Sequence, residues 1–482
     1  MDIAKRIDDA TDANDSQALV NLLEECNRLI HSADSKRKVK YHFYKANCHS
    51  GIWQIKTYQN EIANEWTQED KLSEILSLRK AVSEPAFMSM DSIFRSKILT
   101  NLGNALSYLG RFVEAIKYWD LAISTTPKFS MALGNKGICL ISYAQFLYDH
   151  GHAGIVFAHA EESLREALLP EALWDSEYPK EVADCFITTH NGVNDILEEI
   201  AYDYNFDLDH WKLGDSSSEE EYRRWCLDNG LFLSPLNDVC TLTVAARDIL
   251  HLPTHRYNIG EDPRFLNFYN IIKQEYATAR FILYSSANSE HHHYSDNDIL
   301  LIKGHNAVLY GYKVEKLKLS YRMAYSIFDK ISLFVNDYFK IGIKPKDVTF
   351  RKIWGENRNR EFHIRNCFSE SNNWPLKGLY YLSKDLFDKD FKETSLPESE
   401  ELSEIRNYLE HKLVSLQEYP DNAESSETHI YIDIVDFERK TLRVLSMARE
   451  AIIYLSLAMH WKERNIVDDS VVIPFPRSPV ER

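Results

Sequence analysis

The stretch Glu404–Lys412, "EIRNYLEHK", carries three side chains whose chemistries complement one another: Arg406, Asn407 and His411. An imidazole, with an ordinary pKa of about 6.5, gives and takes protons near neutral pH. A guanidinium is permanently charged and offers a fork of N–H donors to phosphate oxygens. An amide can orient either a phosphate or the imidazole. Such a set can move protons and neutralise charge at a phosphorus centre. Other chemistries find less support. There is no glycine-rich phosphate loop, Walker lysine pattern or H-E-x-x-H. His291, His292 and His293 are consecutive, so they point in different directions, and a solvated loop is expected there rather than a metal site.

The element that must position the set is a helix. Each residue advances about 100° around a helix axis. Leu402, Ile405, Leu409, Leu413 and Leu416 therefore fall on one side, the expected core face of a helix running to about residue 416. Arg406 lies at its margin. Asn407 and His411 are four apart and neighbours on the far side, with Glu410 between Arg406 and His411. The plain alternative is an ordinary solvated face. Three further segments have helical periodicity. In "KLKLSYRMAYSIFDKISLFVNDYF" the residues Leu317, Tyr321, Ala324, Phe328, Ile331, Val335 and Tyr338 form one continuous stripe. "PLKGLYYLSKDLF" opens with Pro375, tolerated in a first turn. "FERKTLRVLSMAREAIIYLSLAMHW" sets Leu445, Ala448, Ile452, Leu455 and Met459 on one side. Four helices with one apolar stripe each bury one another as a four-helix bundle, and the third carries the polar set.

The first half has a different periodicity. Leu102, Gly103, Ala115, Trp119, Ala122 and Pro127 occupy the small and large positions of a tetratricopeptide unit, and Gly103 and Gly137 stand 34 positions apart, the length of that repeat. Small residues let antiparallel helices approach, and Pro127 ends the second helix. Ser218 and Glu221 have capping-box spacing, and Asn229-Gly230 ends the helix they start. The expected architecture is all-α: a tetratricopeptide-like array over 1–230, a connecting helical region over 231–304 and a helical bundle over 305–475.

The pattern Arg406-Asn407-x-x-x-His411, on the third helix of a bundle, resembles the R-x(4–6)-H motif of the HEPN superfamily, in which a polar residue often follows the arginine. The neighbouring text "SYRMAYSIFDKISLFVNDYF", "PLKGLYYLSKDLF" and "TLRVLSMAREAIIYLSLAMH" looks like a bacterial branch often joined to tetratricopeptide repeats. The resemblance covers roughly 270–470. It implies a metal-independent endoribonuclease, commonly a toxin or an antiviral defence effector, acting as a homodimer with Arg406, Asn407 and His411 as catalytic residues. Two third helices packed across a two-fold axis would place a pair of each in one cleft. Products with 2′,3′-cyclic phosphate and 5′-hydroxyl ends are expected. For RNA binding, "FKIGIKPKDVTFRKIWGENRNREFHIR" holds Lys340, Lys344, Lys346, Arg351, Lys352, Arg358, Arg360 and Arg365 against Asp347, Glu356 and Glu361. Trp354 and Phe362 are interleaved as possible base-stacking rings. Arg358 and His363 make a second match to the same short motif. Two alternatives stay open: a non-catalytic repeat-and-bundle interaction protein, and a nucleotide-binding module.

The totals bound these readings. At 482 residues with 16 glycines and 14 prolines, the chain suits several helical domains. A net charge of −17 repels polyanions at long range, so any RNA site must be a local basic patch. Seven scattered cysteines form no C-x-x-C pair, which suits a reducing compartment. "MDIAKRIDDATDAND" has no apolar core of a signal peptide, and no run of about 18 apolar residues reads as a membrane span. A cytoplasmic protein is expected, with RNA, a second copy of itself, and a possible protein or peptide on the repeat half as partners, and with no membrane.

Overall fold

The computed structural model describes residues 2–59, 66–174, 180–200, 208–253, 262–288, 292–302, 307–358, 361–369, 371–388, 394–419 and 425–464. Among them are sixteen α-helices and five short strands, an all-α fold. The first half holds α1 (Ile3–Asp12), α2 (Ser16–Ser32), α3 (Ser35–Tyr58), α4 (Glu69–Ser83), α5 (Ser92–Tyr108), α6 (Phe112–Thr125), α7 (Ser130–Phe146), α8 (His150–Ala167), α9 (Lys180–Glu199) and α10 (Ser217–Asp228). The second holds α11 (Arg264–Ala287), α12 (Tyr312–Tyr338), α13 (Asn366–Ser369), α14 (Trp374–Ser383), α15 (Ser399–His411) and α16 (Ile434–Arg464). Strand β1 (Val308–Leu309) pairs antiparallel with β4 (Leu413–Gln417), which pairs parallel with β5 (His429–Asp433); β2 (Gly355–Arg358) and β3 (Glu361–Ile364) form a hairpin. Among the described residues, no helix is long and apolar enough to cross a membrane.

Consecutive helices of the first half pack as pairs: α3 with α4, α5 with α6, α7 with α8. Short connections make such pairs antiparallel neighbours. The glycines do the work foreseen from their spacing. A Cβ at Gly103 would lie 2.6 Å from the Trp119 indole nitrogen, and one at Gly137 would lie 2.6 Å from Leu164 Cγ. Gly110, at φ +82°, makes the turn between α5 and α6, where a side chain would be strained. One local expectation shifts: α10 is capped two residues earlier than the sequence suggests. Ser216 accepts from the Glu219 N–H, and Glu219 accepts from the Asp215 N–H.

In the second half, α11 and α16 both pack on α12, and α14 packs on α16. Leu317, Tyr321, Ala324, Phe328, Ile331 and Val335 of α12 are buried as their stripe demands. The 31-residue α16 is buried nearly all round between Val444 and Met459. The third bundle helix is shorter than its apolar spacing suggests. It ends at His411; Lys412 is extended, and Leu413–Gln417 form β4. Leu413 is consequently 61% exposed, whereas Leu416 is buried.

One hydrophobic cluster runs through all three expected segments, from Val39 to Met459. The Phe112 ring stacks on Trp374 at 4.5 Å, and the Tyr454 hydroxyl accepts from the Val113 N–H at 3.1 Å. A buried ionic cluster bridges the same halves. Arg111 donates to Asp385 (2.8 Å), Glu450 (2.6 Å) and Glu114 (2.5 Å), while Arg79 donates to Asp385 (2.6 Å) and Glu114 (2.8 Å). Each buried charge thus has opposite charges beside it, which offsets the cost of leaving water.

Candidate active site

Helix α15 is held by its apolar face. Leu402, Ile405 and Tyr408 are buried, the Tyr321 hydroxyl donates to the Leu402 carbonyl at 2.7 Å, and the Tyr408 hydroxyl donates to the Ser426 carbonyl at 2.8 Å. That fixes the roll of the helix, and the remaining face turns outward. Arg406 and Asn407 are half-buried, and Glu410 and His411 are exposed. His411 is the last helical residue.

The polar side chains are organised rather than scattered. Arg406 pairs with Asp329 of α12 (Nη2 to Oδ2, 3.2 Å) and donates to Asn407 Oδ1 at 3.4 Å. Its guanidinium lies 5.9 Å from the centre of the Tyr325 ring. Glu410 receives both Nε and Nη2 of Arg322, each at 3.2 Å. Burial pushes the Asp329 carboxyl above its usual range, although Arg406 and Lys330 pull it down. Glu410 is held below its usual range by the Arg322 hydrogen bond. Asp329 and Arg322 come from 77 and 88 positions away, so no local spacing announces these pairs.

Beside Arg406 opens a cavity of about 380 Å³. Tyr325, Phe328, Phe350 and Phe387 supply its aromatic walls, and its polar lining includes Asp329, Thr349, Asp388 and Ser403. No local pattern announces this cavity, because its lining comes from four separate segments, α12, residues 345–351, residues 386–388 and α15.

The five proposed RNA-binding cations are spread over different surroundings. Arg351 is buried and donates to the carbonyls of Ser383 (3.4 Å) and Leu386 (3.1 Å). Arg365 donates to the carbonyls of Ile353 (3.2 Å) and Gly355 (3.4 Å), bracing the hairpin. Lys352 is half-buried. Arg358 sits in β2 opposite Glu361, its side chain outside the described residues, as is Arg360 altogether. Lys340, Lys344 and Lys346 are the exposed cations of this segment among the described residues. Trp354 is fully buried, its indole N–H donating to the Phe350 carbonyl at 2.7 Å, which removes it as a platform for bases. Phe362 is half-buried under Lys384. The second motif match, Arg358 and His363, lies on two strands of a hairpin and not on a helix face.

In the histidine-rich loop, His292 contacts Asn297 Oδ1 at 2.6 Å and His293 Nδ1 contacts Ser295 Oγ at 2.7 Å; His291 lies outside the described residues. The described residues contain no group of three or more His, Cys, Asp or Glu side chains arranged to hold a metal.

No curated protein and no solved structure matches the chain. A family model does. Its match begins just before α11 and ends within α16, so it takes in nearly all of the second half and leaves the N-terminal helical half outside. Residues 257–462, which carry α15 and the Arg406–Asn407–His411 set, match the LA2681-like HEPN family.

Proposed function

We propose that the protein is a metal-independent endoribonuclease that acts as a homodimer. HEPN domains are generally associated with ribonuclease activity. The observation that carries the reading is the α15 face. Its guanidinium, amide and imidazole all sit on the side left free by the core, with Arg406 pinned by Asp329. RNA brings its own nucleophile, the 2′-hydroxyl. His411 takes the 2′-hydroxyl proton as the oxygen attacks phosphorus, and the partner subunit's His411 delivers a proton to the departing 5′-oxygen. Arg406 faces the charge that gathers on the phosphorane oxygens, where fixed donors act most strongly. Asn407 orients Arg406. The products are a 2′,3′-cyclic phosphate and a 5′-hydroxyl.

In this reading 305–475 is the catalytic bundle, 231–304 joins it to the rest, and 1–230 is a tetratricopeptide-like array that senses a trigger or a partner. The biological role is that of a cytoplasmic toxin or antiviral effector. Arg351, Lys352, Arg358, Arg360 and Arg365 belong to the basic segment that faces RNA, with Arg351 and Arg365 acting as braces of that segment. The test is incubation of purified protein with total RNA in excess chelator. Wild type cuts, while Arg406→Ala and His411→Ala do not; a strict need for divalent metal refutes the mechanism. One observation favours a second reading, a non-catalytic interaction protein: Asp329 already neutralises Arg406. Variants at Arg406 and His411 as toxic to cells as wild type would favour it.

A further inference from the structure

The basic segment between α12 and α14 spends two of its arginines on structure, since Arg351 and Arg365 are turned to backbone carbonyls. A less committed set of cations stands in the first half, outside the family match. A groove of about 940 Å³ runs between the start of α3 and the turn that leads into α5. Lys36, Arg37 and Lys40 line one side, three exposed cations on a helix face that continues to Tyr44. Met90 and Phe94 line the other. Two carboxylates also border the groove, but each is engaged at a helix start. Asp34 accepts from the Arg37 N–H at 2.9 Å, and Asp91 from the Phe94 N–H at 3.1 Å. Among the described residues, Lys36 and Lys40 form no hydrogen bond or ion pair, and the Tyr44 hydroxyl forms no hydrogen bond. Arg37 meets Asp34 alone, at 3.7 Å. Positive charge continues around the groove. Burial depresses the neighbouring His42, and Lys45, Lys80 and Lys38 add to that depression. Arg95 of α5 donates to a sulfur, Met88 Sδ at 3.6 Å, and its buried Nε has no acceptor. Cations at a helix start work against the helix dipole, so the stability of α3 does not account for this grouping.

We propose that this groove docks single-stranded RNA, with backbone phosphates on Lys36, Arg37 and Lys40 and a base against Tyr44 and Phe94. The choice of polyanion rests on the ribonuclease reading, although the groove shares no residue with the α15 face. A net charge of −17 keeps polyanions off most of the surface, so a local cluster of uncommitted cations is where one settles. Lys36 and Lys40 are one helical turn apart and form a short track rather than a single charge. Single strands are held by this pairing of a cationic track with aromatic faces. An acidic peptide would satisfy the lysines but bring no flat rings to Tyr44 and Phe94. RNA supplies both the charge and the rings.

Two measurements on the full-length protein test this separately from the nuclease reading. The first is binding of a labelled, unpaired RNA oligonucleotide to the His411→Ala protein, read by fluorescence anisotropy in excess chelator across a range of salt. Lys36→Gln with Lys40→Gln is expected to weaken binding at least about tenfold at about 0.1 M salt, and to lower the salt slope by about 1.4, the share of two phosphate contacts. Lys5→Gln with Lys212→Gln alters two exposed lysines elsewhere in the first half and changes the net charge equally. That pair is expected to leave affinity and slope as they were. Polyglutamate of the same length is expected to bind at least about tenfold more weakly than RNA, for want of bases. No RNA binding by the parent protein, an unchanged affinity in the Lys36 and Lys40 pair, equal losses in the two pairs, or equal binding of polyglutamate overturns the proposal. The second measurement is cleavage of a long RNA with His411 intact. The Lys36 and Lys40 pair is expected to raise KM at least about fivefold and to leave kcat within about twofold. Cutting at an unchanged KM overturns the groove and leaves the nuclease standing. RNA binding that depends on Lys36 and Lys40, in a protein that cuts no RNA, supports the groove and overturns the nuclease. The substituted lysines are exposed, and thermal midpoints equal to the parent's confirm that folding is intact.

Discussion

At the residue scale, Asp329 is the most informative side chain. It holds Arg406, and yet burial works against its own charge. Its carboxyl is raised above the unfolded value. The sign follows: the folded state binds that proton more tightly, so the ionised group disfavours folding above the usual carboxylate range. Asp329→Asn should therefore leave the thermal midpoint at neutral pH no lower than wild type while RNA cleavage drops at least tenfold through loss of the Arg406 pose. Cleavage rates read beside differential scanning calorimetry check this split. A variant that loses stability and activity together would make Asp329 merely structural. The histidines supply a second prediction. Burial, with Lys45, Lys80 and Lys38 adding to it, depresses His42 to about 4. A lowered histidine binds its proton first in the unfolded chain, so stability is full above about 6.5 and falls as pH drops toward 4. The thermal midpoint should decline across that window, and less steeply in His42→Gln.

At the element scale, the decisive event is the end of α15. The stripe Leu402, Ile405, Leu409 is helical, but Leu413 and Leu416 continue its spacing only by coincidence. Val414 and Leu416 are also two apart, the period of a strand, and both are buried in β4. What decides between the periods is pairing with β5, where Ile430 and Ile432 stand opposite Val414 and Leu416, 16 positions further along the chain. Sequence pattern therefore found the helix and overran its end. The same limit explains Trp354: its neighbours Arg351 and Lys352 gave the segment a basic character, while the burial of the ring depends on Phe368 and Tyr380. By contrast, the α12 stripe and the Gly103 and Gly137 contacts were legible, because local period and local size decide them. A paired substitution checks the strand. Leu416→Ala should cost about 2–5 kcal/mol in urea unfolding, as buried leucines do. Leu413→Ala should change stability by less than about 0.5 kcal/mol, as exposed positions do. Comparable losses at both would restore the longer helix.

At the scale of the whole molecule, the first half is fastened to the bundle by charge as well as by apolar contact. Arg111 is buried among Asp385, Glu450 and Glu114. Arg79 and Arg111 draw Asp385 below its usual range although burial pushes it up. Removing one partner strands the others without water. Arg111→Ala should thus cost about 3–5 kcal/mol of stability, measured by chemical unfolding. The cluster also reaches the candidate site, since Asp385 leads into Leu386, Phe387 and Asp388, which line the cavity beside Arg406. Displacement of the first half would therefore move that wall.

The shared crevice of two copies is the claim on which the functional account depends. It is tested most directly by the rate of RNA cleavage in excess chelator as a function of protein concentration, with product ends mapped. The account predicts a rate per protomer that rises with concentration and saturates as the dimer fills, and cyclic phosphate ends. It also predicts a loss of at least about 100-fold in His411→Ala, the scale of lost acid–base catalysis. Cleavage by His411→Ala at the wild-type rate, or by a protein that remains monomeric throughout, would contradict it.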